Sequence, residues 1–356
     1  EFGFYESVSL IPILGMMTII LLLSVTSYHC VEVPLRRKDA SLLPVQLGFA
    51  WCLIFGLSIV AFDKDSYYDT SDFEPVSFHV HHYDVTPELA PWSASKRKKM
   101  SGVDARIRDP GLEDAYSERG IIKQYGGQNP DVVVIGDSHA SMFGGLIDEI
   151  AQQKGLTVSF YSAAGTSPFD HQRGEPSKGF SATQMKAFNQ AKMDHLQLWK
   201  PLVILTVRWS SVSKEERVRK LIEQIGSTGS RICLIEQPPE IAVGDRNALQ
   251  YLAYKGLSSK DGEAKLFKKA NLAKVAAGNQ LIHSIVQDYD YCSVIEIYDL
   301  YSENKKYAWV IDGSQLLYYD DDHLSQYGAL RAKAIVEDAI FIELNQLKAP
   351  SAISLN

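Results

Sequence analysis

The stretch that decides the reading is "DVVVIGDSHA", residues 131–140. Four β-branched residues, Val132 to Ile135, are followed at once by Gly136, Asp137, Ser138 and His139. A short unbroken apolar run of this kind reads as a strand buried on both faces, which is the habit of parallel sheets. Such sheets bind ligands beyond the carboxyl ends of their strands. Ser138 falls there, at the turn into a helix, where free N–H groups and the positive dipole end suit a developing oxyanion. Its hydroxyl is then placed to attack an acyl carbon, with Gly136 permitting the tight turn. A plainer role is open at this point, in which Asp137 or Ser138 only caps the helix.

The sequence beyond it alternates in the way a parallel sheet requires. "MFGGLIDEIAQQKG" reads as an amphipathic helix ending at Gly155, and "LTVSFYSAA" as a strand. "ATQMKAFNQAKMDHLQLWK" and "KEERVRKLIEQIG" read as helices, "LVILTV" and "RICLIEQ" as strands. A long helix is expected over about 260–287, then a strand at "SVIEIY" and a last helix from Gln326 to about Leu347. The fold class is therefore α/β, a parallel sheet with helices on both faces.

A second cluster of chemistry stands near the end, in "LLYYDDDHLSQYGALRAKAIV". Asp320 and His323 form a D-x-x-H pair just ahead of a helix. A serine nucleophile needs a base, and the base needs an acid that fixes its tautomer and supports the imidazolium. His323 is the candidate base and Asp320 its acid, with Asp321 and Asp322 as rival acids. The plain alternative is an acidic turn that caps the last helix through Ser325.

GDSH followed far downstream by DxxHLS in a βα chain resembles the SGNH hydrolases, the GDSL-like esterases, over about residues 131–348. The resemblance implies Ser138 as nucleophile with Asp320 and His323 completing the triad. It also implies an oxyanion hole made by the N–H groups of Ser138 and of Gly165 in "SAAGTSPF". The family's third block usually supplies an asparagine after the next strand. Here that position reads "LTVRWSS", with Arg208 and Trp209, which resembles the SGNH domains fused to acyltransferase-3 membrane proteins. Arg208 is then expected as a charged donor or a substrate-binding residue, and Trp209 as a sugar-stacking platform or part of the wall. His139 is open between a supporting role in the site and a place at the surface of the turn.

The opening of the chain reads differently. Two uncharged apolar segments, about Val8–Val25 and Leu42–Phe62, each have the length of a membrane span. Arg36, Arg37 and Lys38 between them mark the cytoplasmic side, so residues 63–356 are expected in the periplasm of a bacterium, tethered to its inner membrane. "SYHCVEVPLRR" resembles the end of the last core helix in acyltransferase-3 proteins, through Tyr28, Glu32, Pro34 and Arg36. Because the chain begins Glu1-Phe2, it reads as a piece whose natural start, with the earlier acyltransferase-3 helices, lies upstream. The organisation expected is two spans (1–62), an extension (63–130), the SGNH domain (131–348) and a tail (349–356).

Composition narrows the partners. The 356 residues carry a net charge of −7, which gives no support to a nucleic-acid partner. In "FHVHHY" His79 and His81 would share one face of a strand, with His82 beside them, but nothing spaced to complete a metal site follows, so no metal is expected. The four cysteines show no zinc spacing; Cys233 and Cys292 read as buried thiols, or as a pair if the compartment oxidises. The two resemblances together imply an O-acetyltransferase of surface polysaccharide such as lipopolysaccharide O-antigen. Its acetyl group would come from acetyl-CoA, handled by the missing helices, and no cofactor is expected in the residues at hand. The partners are then a polysaccharide acceptor, the lipid bilayer and those helices. A membrane-tethered carbohydrate esterase and a non-catalytic carbohydrate-binding module are the alternatives.

Overall fold

The computed structural model describes residues 120–348, apart from 170–181, 245, 258–262, 270–271 and 305. It also describes Val25, Tyr28, His29, Val33 and the two short strands Val76–Ser77 and Val103–Asp104, which pair in parallel. The chain falls into two compact units, Glu1–Tyr68 and Asp69–Asn356. The two apolar segments (Val25 aside), Arg36, Arg37 and Lys38 between them, and the histidines of "FHVHHY" lie outside the described residues. Among the described residues, no helix is long and apolar enough to cross a membrane.

The second unit is built on a six-stranded sheet. In chain order its strands are β1 (Ile121–Gln124), β2 (Val132–Gly136), β3 (Thr157–Ser162), β4 (Leu202–Thr206), β5 (Arg231–Ile235) and, after one intervening strand, β7 (Cys292–Ile295). Their spatial order is β1-β3-β2-β4-β5-β7, parallel throughout except for β1, which runs antiparallel along β3. β2 to β4 are buried along their whole lengths, as strands covered by helices on both faces must be. β2 lies at the centre. The chain leaves it to form β3 on one side and then crosses to form β4 on the other, so the carboxyl end of β2 is a topological switch point. Ser138 stands at that end.

The covering helices show why they pack where they do. In α2 (Gly144–Lys154) Leu146, Ile147, Ile150 and Ala151 make one buried stripe. In α4 (Glu215–Ser227) the same is done by Val218, Leu221, Ile222 and Ile225. Gly155 closes α2 in the left-handed region, at φ 63°. The last helical stretch is two helices, α8 (Gln326–Leu330) and α9 (Lys333–Lys348), and Glu343 of α9 pairs with Arg231 at the start of β5.

Two expectations are corrected. The long helix over 260–287 is a strand followed by a shorter helix: β6 (Glu263–Phe267) and α6 (Leu272–Val286). β6 buries Ala264 and Leu266 and exposes Glu263, Lys265 and Phe267, a period of two that its helix-favouring composition conceals. It pairs antiparallel with β9 (Tyr307–Asp312). β9 also pairs with β8 (Ser302–Glu303) and β10 (Gln315–Leu316) in a small second sheet that leads directly to the Asp320–His323 loop. The sheet also gains β1 from the stretch before Asp131. Cys233 pairs with Ser293 and Cys292 with Ile232 in adjacent parallel strands. The two thiols therefore point to opposite faces of the sheet, where they cannot bridge.

Gly136 permits the turn by leaving room for it. A Cβ there would lie 1.8 Å from the carbonyl oxygen of Thr206 and 2.8 Å from Ala140 Cβ. The residue is a glycine because β2 and β4 approach closely as the chain turns into the helix of Ser138. Gly136→Ala should cost about 3 kcal/mol, the upper end for overpacking. Gly244→Ala meets no atom within 4 Å and only forces an alanine to φ +64°, so it should cost about 1 kcal/mol. Equilibrium urea unfolding of the two variants checks the difference.

Candidate active site

The site is assembled at the carboxyl edge of the sheet, starting from Asp137. It is the N-cap of the short helix α1 (Ser138–Met142), accepting the N–H of His139 at 2.8 Å on Oδ1. Its Oδ2 accepts the N–H of Arg208, just past β4, at 3.0 Å. One carboxylate thus fixes both the turn that carries Ser138 and the neighbouring strand's exit. Ser138 is the first residue of α1, so its own N–H has no acceptor within the helix.

The loop after β10 brings the base. A bridge between Tyr318 and Leu324 closes it, and Tyr319 N donates to His323 O at 2.9 Å. Asp320 Oδ1 accepts the N–H groups of Asp322 (3.0 Å) and His323 (2.8 Å), which curls the acidic run into a turn. Ser325 does cap α8, accepting from Gly328 N at 3.0 Å. Leu324 N donates to the sulfur of Met142 at 3.4 Å, locking the loop onto α1.

These constraints place His323 Nε2 2.8 Å from Ser138 Oγ. On the far side of the ring, Nδ1 lies 2.9 Å from Asp320 Oδ2. The structure therefore brings Ser138, His323 and Asp320 together in the relay a serine nucleophile requires: the hydroxyl donates to Nε2 and Nδ1–H donates to the carboxylate. Asp322 joins them, with Oδ1 at 3.0 Å from the same Nδ1. Asp321 points elsewhere and pairs with Lys269.

Gly165 lies on an exposed turn after β3, at φ +69°, held by Thr166 N–H to Ala163 O at 3.1 Å. It stands at the same edge as Ser138, because β3 is the direct neighbour of β2. Arg208, its side chain 35 % exposed, is engaged by two carboxylates of the protein. Its guanidinium grips Glu240 with two nitrogens (Nε–Oε1 2.9 Å, Nη2–Oε2 2.8 Å) and gives Nη1 to Asp322 Oδ2 at 2.9 Å. Glu240 is 1 % exposed and also accepts from Ser210 Oγ at 2.7 Å and Gln237 Nε2 at 3.0 Å.

Of the two places open to Trp209, a sugar platform or the wall, the structure gives it the wall. It is 1 % exposed, and its indole N–H donates to Ile235 O at 2.7 Å. Gly278 of α6 sits so close that a Cβ would meet the Trp209 backbone carbonyl carbon at 2.6 Å, so the residue is wall. His139 is likewise no surface residue: it is buried, its ring 5.0 Å from that of His323 and its Nε2 3.6 Å from Asp322 Oδ2. The sequence reading missed Glu240 and Gln237 in "EQPPE", though their place just past the carboxyl end of β5 was the available signal. Each of Asp320, Asp321 and Asp322 is matched by a cation of the protein itself, so this acidic run reads as ion pairs.

Charge balance sets the titration. Burial alone would push the His323 imidazole down, but the charges of Asp320 and Asp322 outweigh it and hold its pKa well above the ordinary 6.5. Burial would push Asp322 up, but the His323 imidazolium and the His139 ring outweigh it and hold the carboxyl well below 3.8. Asp321 is raised by burial and by Asp322, against the pull of Lys269.

Comparison with known proteins identifies the arrangement. The family model for the SGNH domain found fused to AT3 domains matches residues 108–338. The chain belongs to this family. Among solved structures, an acylhydrolase from Bacteroides fragilis is similar at 13% identity and a TM-score of 0.41, covering 67% of this chain and 100% of that one. A likeness at that level carries no argument about this SGNH domain's chemistry. No curated protein matches the chain.

The raised pKa of His323 has a testable sign. The imidazolium cannot take the Ser138 proton, so labelling of Ser138 by a fluorophosphonate should rise with pH with a midpoint above 6.5. A rate profile measured from pH 5 to 10 checks it, with Ser138→Ala as the blank. The stability that His323 contributes follows the opposite course: it is fully present below pH 6.5 and lost as pH rises through the raised pKa.

Proposed function

We propose that this SGNH domain transfers an O-acyl group, acetyl being the expected one, to a sugar hydroxyl of a bacterial surface polysaccharide such as O-antigen. The observation that carries the reading is the 2.8 Å contact between Ser138 Oγ and His323 Nε2 at a helix N-terminus, in a chain whose family occurs fused to AT3 domains. Neutral His323 takes the Ser138 proton on Nε2 as Oγ attacks the acyl carbonyl. The resulting oxyanion faces the Ser138 N–H and, in this reading, that of Gly165. The donor's leaving atom departs with the proton held on Nε2, which leaves Ser138 esterified. A sugar hydroxyl then gives its proton to Nε2, attacks the ester, and Ser138 recovers its proton as it leaves. The acyl group has moved from donor to sugar with no net proton change.

The donor side of the reading lies outside the described residues. Acetyl-CoA in the cytoplasm would load the acyl group through AT3 helices upstream, and residues 63–356 would act in the periplasm against the polysaccharide. An AT3 partner favours transfer over hydrolysis, since a domain that only removed acyl groups would have no use for an acyl supply.

Incubating the protein and Ser138→Ala with p-nitrophenyl acetate, and weighing the intact chains, tests this. The wild type should gain about 42 Da, the mass of an added acetyl group, discharged faster by O-antigen polysaccharide than by water. Discharge at the same rate with and without polysaccharide would make the protein an esterase. Retained polysaccharide binding with no acetyl on any residue would make it a binding module.

A further inference from the structure

We propose that Asp322 is a second acid of the triad, sharing the His323 imidazolium with Asp320 and held in place for that purpose by Arg208 and Glu240. This rests on the reading of Ser138 as nucleophile and His323 as its base.

Two carboxylates converge on one nitrogen: Asp320 Oδ2 stands 2.9 Å and Asp322 Oδ1 3.0 Å from His323 Nδ1. Their surroundings differ. The Asp320 side chain is 28 % exposed, and its Oδ1 accepts two main-chain N–H groups, a task that shapes the turn whatever His323 does. The Asp322 side chain is 7 % exposed and makes no such turn. Among the described residues it pairs with His323 and, at 2.9 Å on Oδ2, with Arg208, and the His139 ring stands 3.6 Å away. Removing one partner from a buried charge is costly; Arg208 answers one oxygen of Asp322 while also serving Glu240, and the other oxygen is left facing His323 Nδ1. Charge on Nδ1–H is what must be sustained while Nε2 holds the serine's proton.

The remaining groups set Asp322 in position. Glu240, itself buried, grips the guanidinium with both oxygens, so Arg208 reaches Asp322 from a fixed point after β5. The groups facing the imidazole are therefore Ser138 and His139 of α1, Arg208 after β4, and Asp320 and Asp322 of its own loop. Asp321 and Lys269 lie beside them as a pair, with Lys269 3.6 Å from Glu240. Arg208 and Glu240 act through Asp322 and are positioning residues.

The test uses the full 356-residue chain and two readouts. The titration midpoint of His323 is read by NMR on histidine labelled at Cε1, its signal assigned by loss in His323→Gln. Labelling of Ser138 by a fluorophosphonate is read against pH. Asp322→Asn, nearly isosteric, should lower the His323 midpoint by about one pH unit or more and carry the rising limb of labelling down with it. Arg208→Met, which leaves Asp322 to His323 alone, should move the midpoint the other way and serves if Asp322→Asn does not fold. Asp320→Asn should label about tenfold or more faster than Asp320→Asn/Asp322→Asn, which should approach the loss of about 10⁴ seen when a triad acid is removed. An unmoved midpoint in Asp322→Asn and in Arg208→Met, or an Asp320→Asn as inert as the double variant, would overturn the proposal. If the wild type is not labelled at all, the nucleophile reading falls instead, and the NMR midpoints still decide the place of Asp322.

Discussion

Asp137 divides its carboxylate between two backbone N–H groups, that of His139 in its own helix and that of Arg208 beyond the next strand. The site depends on this bridge. One oxygen sets the first turn of α1 and hence the direction of Ser138. The other ties that turn to β4, so the stretch bearing Arg208 cannot drift from the nucleophile. Gly136 makes the bridge possible, because only a residue without Cβ lets the chain turn within reach of the Thr206 carbonyl. The local geometry at Ser138 is thus a consequence of how closely two central strands pack.

From that anchor the site is an exercise in balancing buried charge. Four elements bring acids or bases to one edge: Asp137 after β2, Arg208 after β4, Glu240 after β5 and the Asp320–His323 loop after β10. Asp137 is answered by two backbone N–H groups and the other carboxylates by cations, Arg208 between Glu240 and Asp322, Lys269 beside Asp321, His323 between Asp320 and Asp322. Charges buried in pairs hold geometry well, because separating them leaves one uncompensated. The same pairing raises the pKa of the base. A strongly held imidazolium stabilises the state in which Ser138 has lost its proton, and the pH at which the base is free rises with it.

Where the resemblance to SGNH hydrolases predicts an asparagine, this chain has Arg208 and Trp209. The arginine pairs with Glu240 and Asp322, and the tryptophan fills the wall beneath α6, which a glycine at 278 lets approach. The departure from the family pattern therefore shows up as a second layer of support for the histidine.

The class of fold was legible in the residues alone, because unbroken β-branched strands between amphipathic helices have few other homes. The sequence also marked Ser138, Asp320 and His323, since those residue types at strand ends and in D-x-x-H spacing have a shared chemical use. It misread 260–287, where Glu, Ala, Lys and Leu favour a helix but pairing with β9 imposes a strand. Asp322 stood only as a rival to Asp320, His139 was open between support and surface, and Gln237 and Glu240 were marked only by their place just past the end of β5. Their roles are set by contacts between segments far apart in the chain, which neither spacing nor composition encodes. Only the folded sheet decided which acids are buried, which cation answers each, and that Trp209 is wall, because burial and partner are properties of the packed edge.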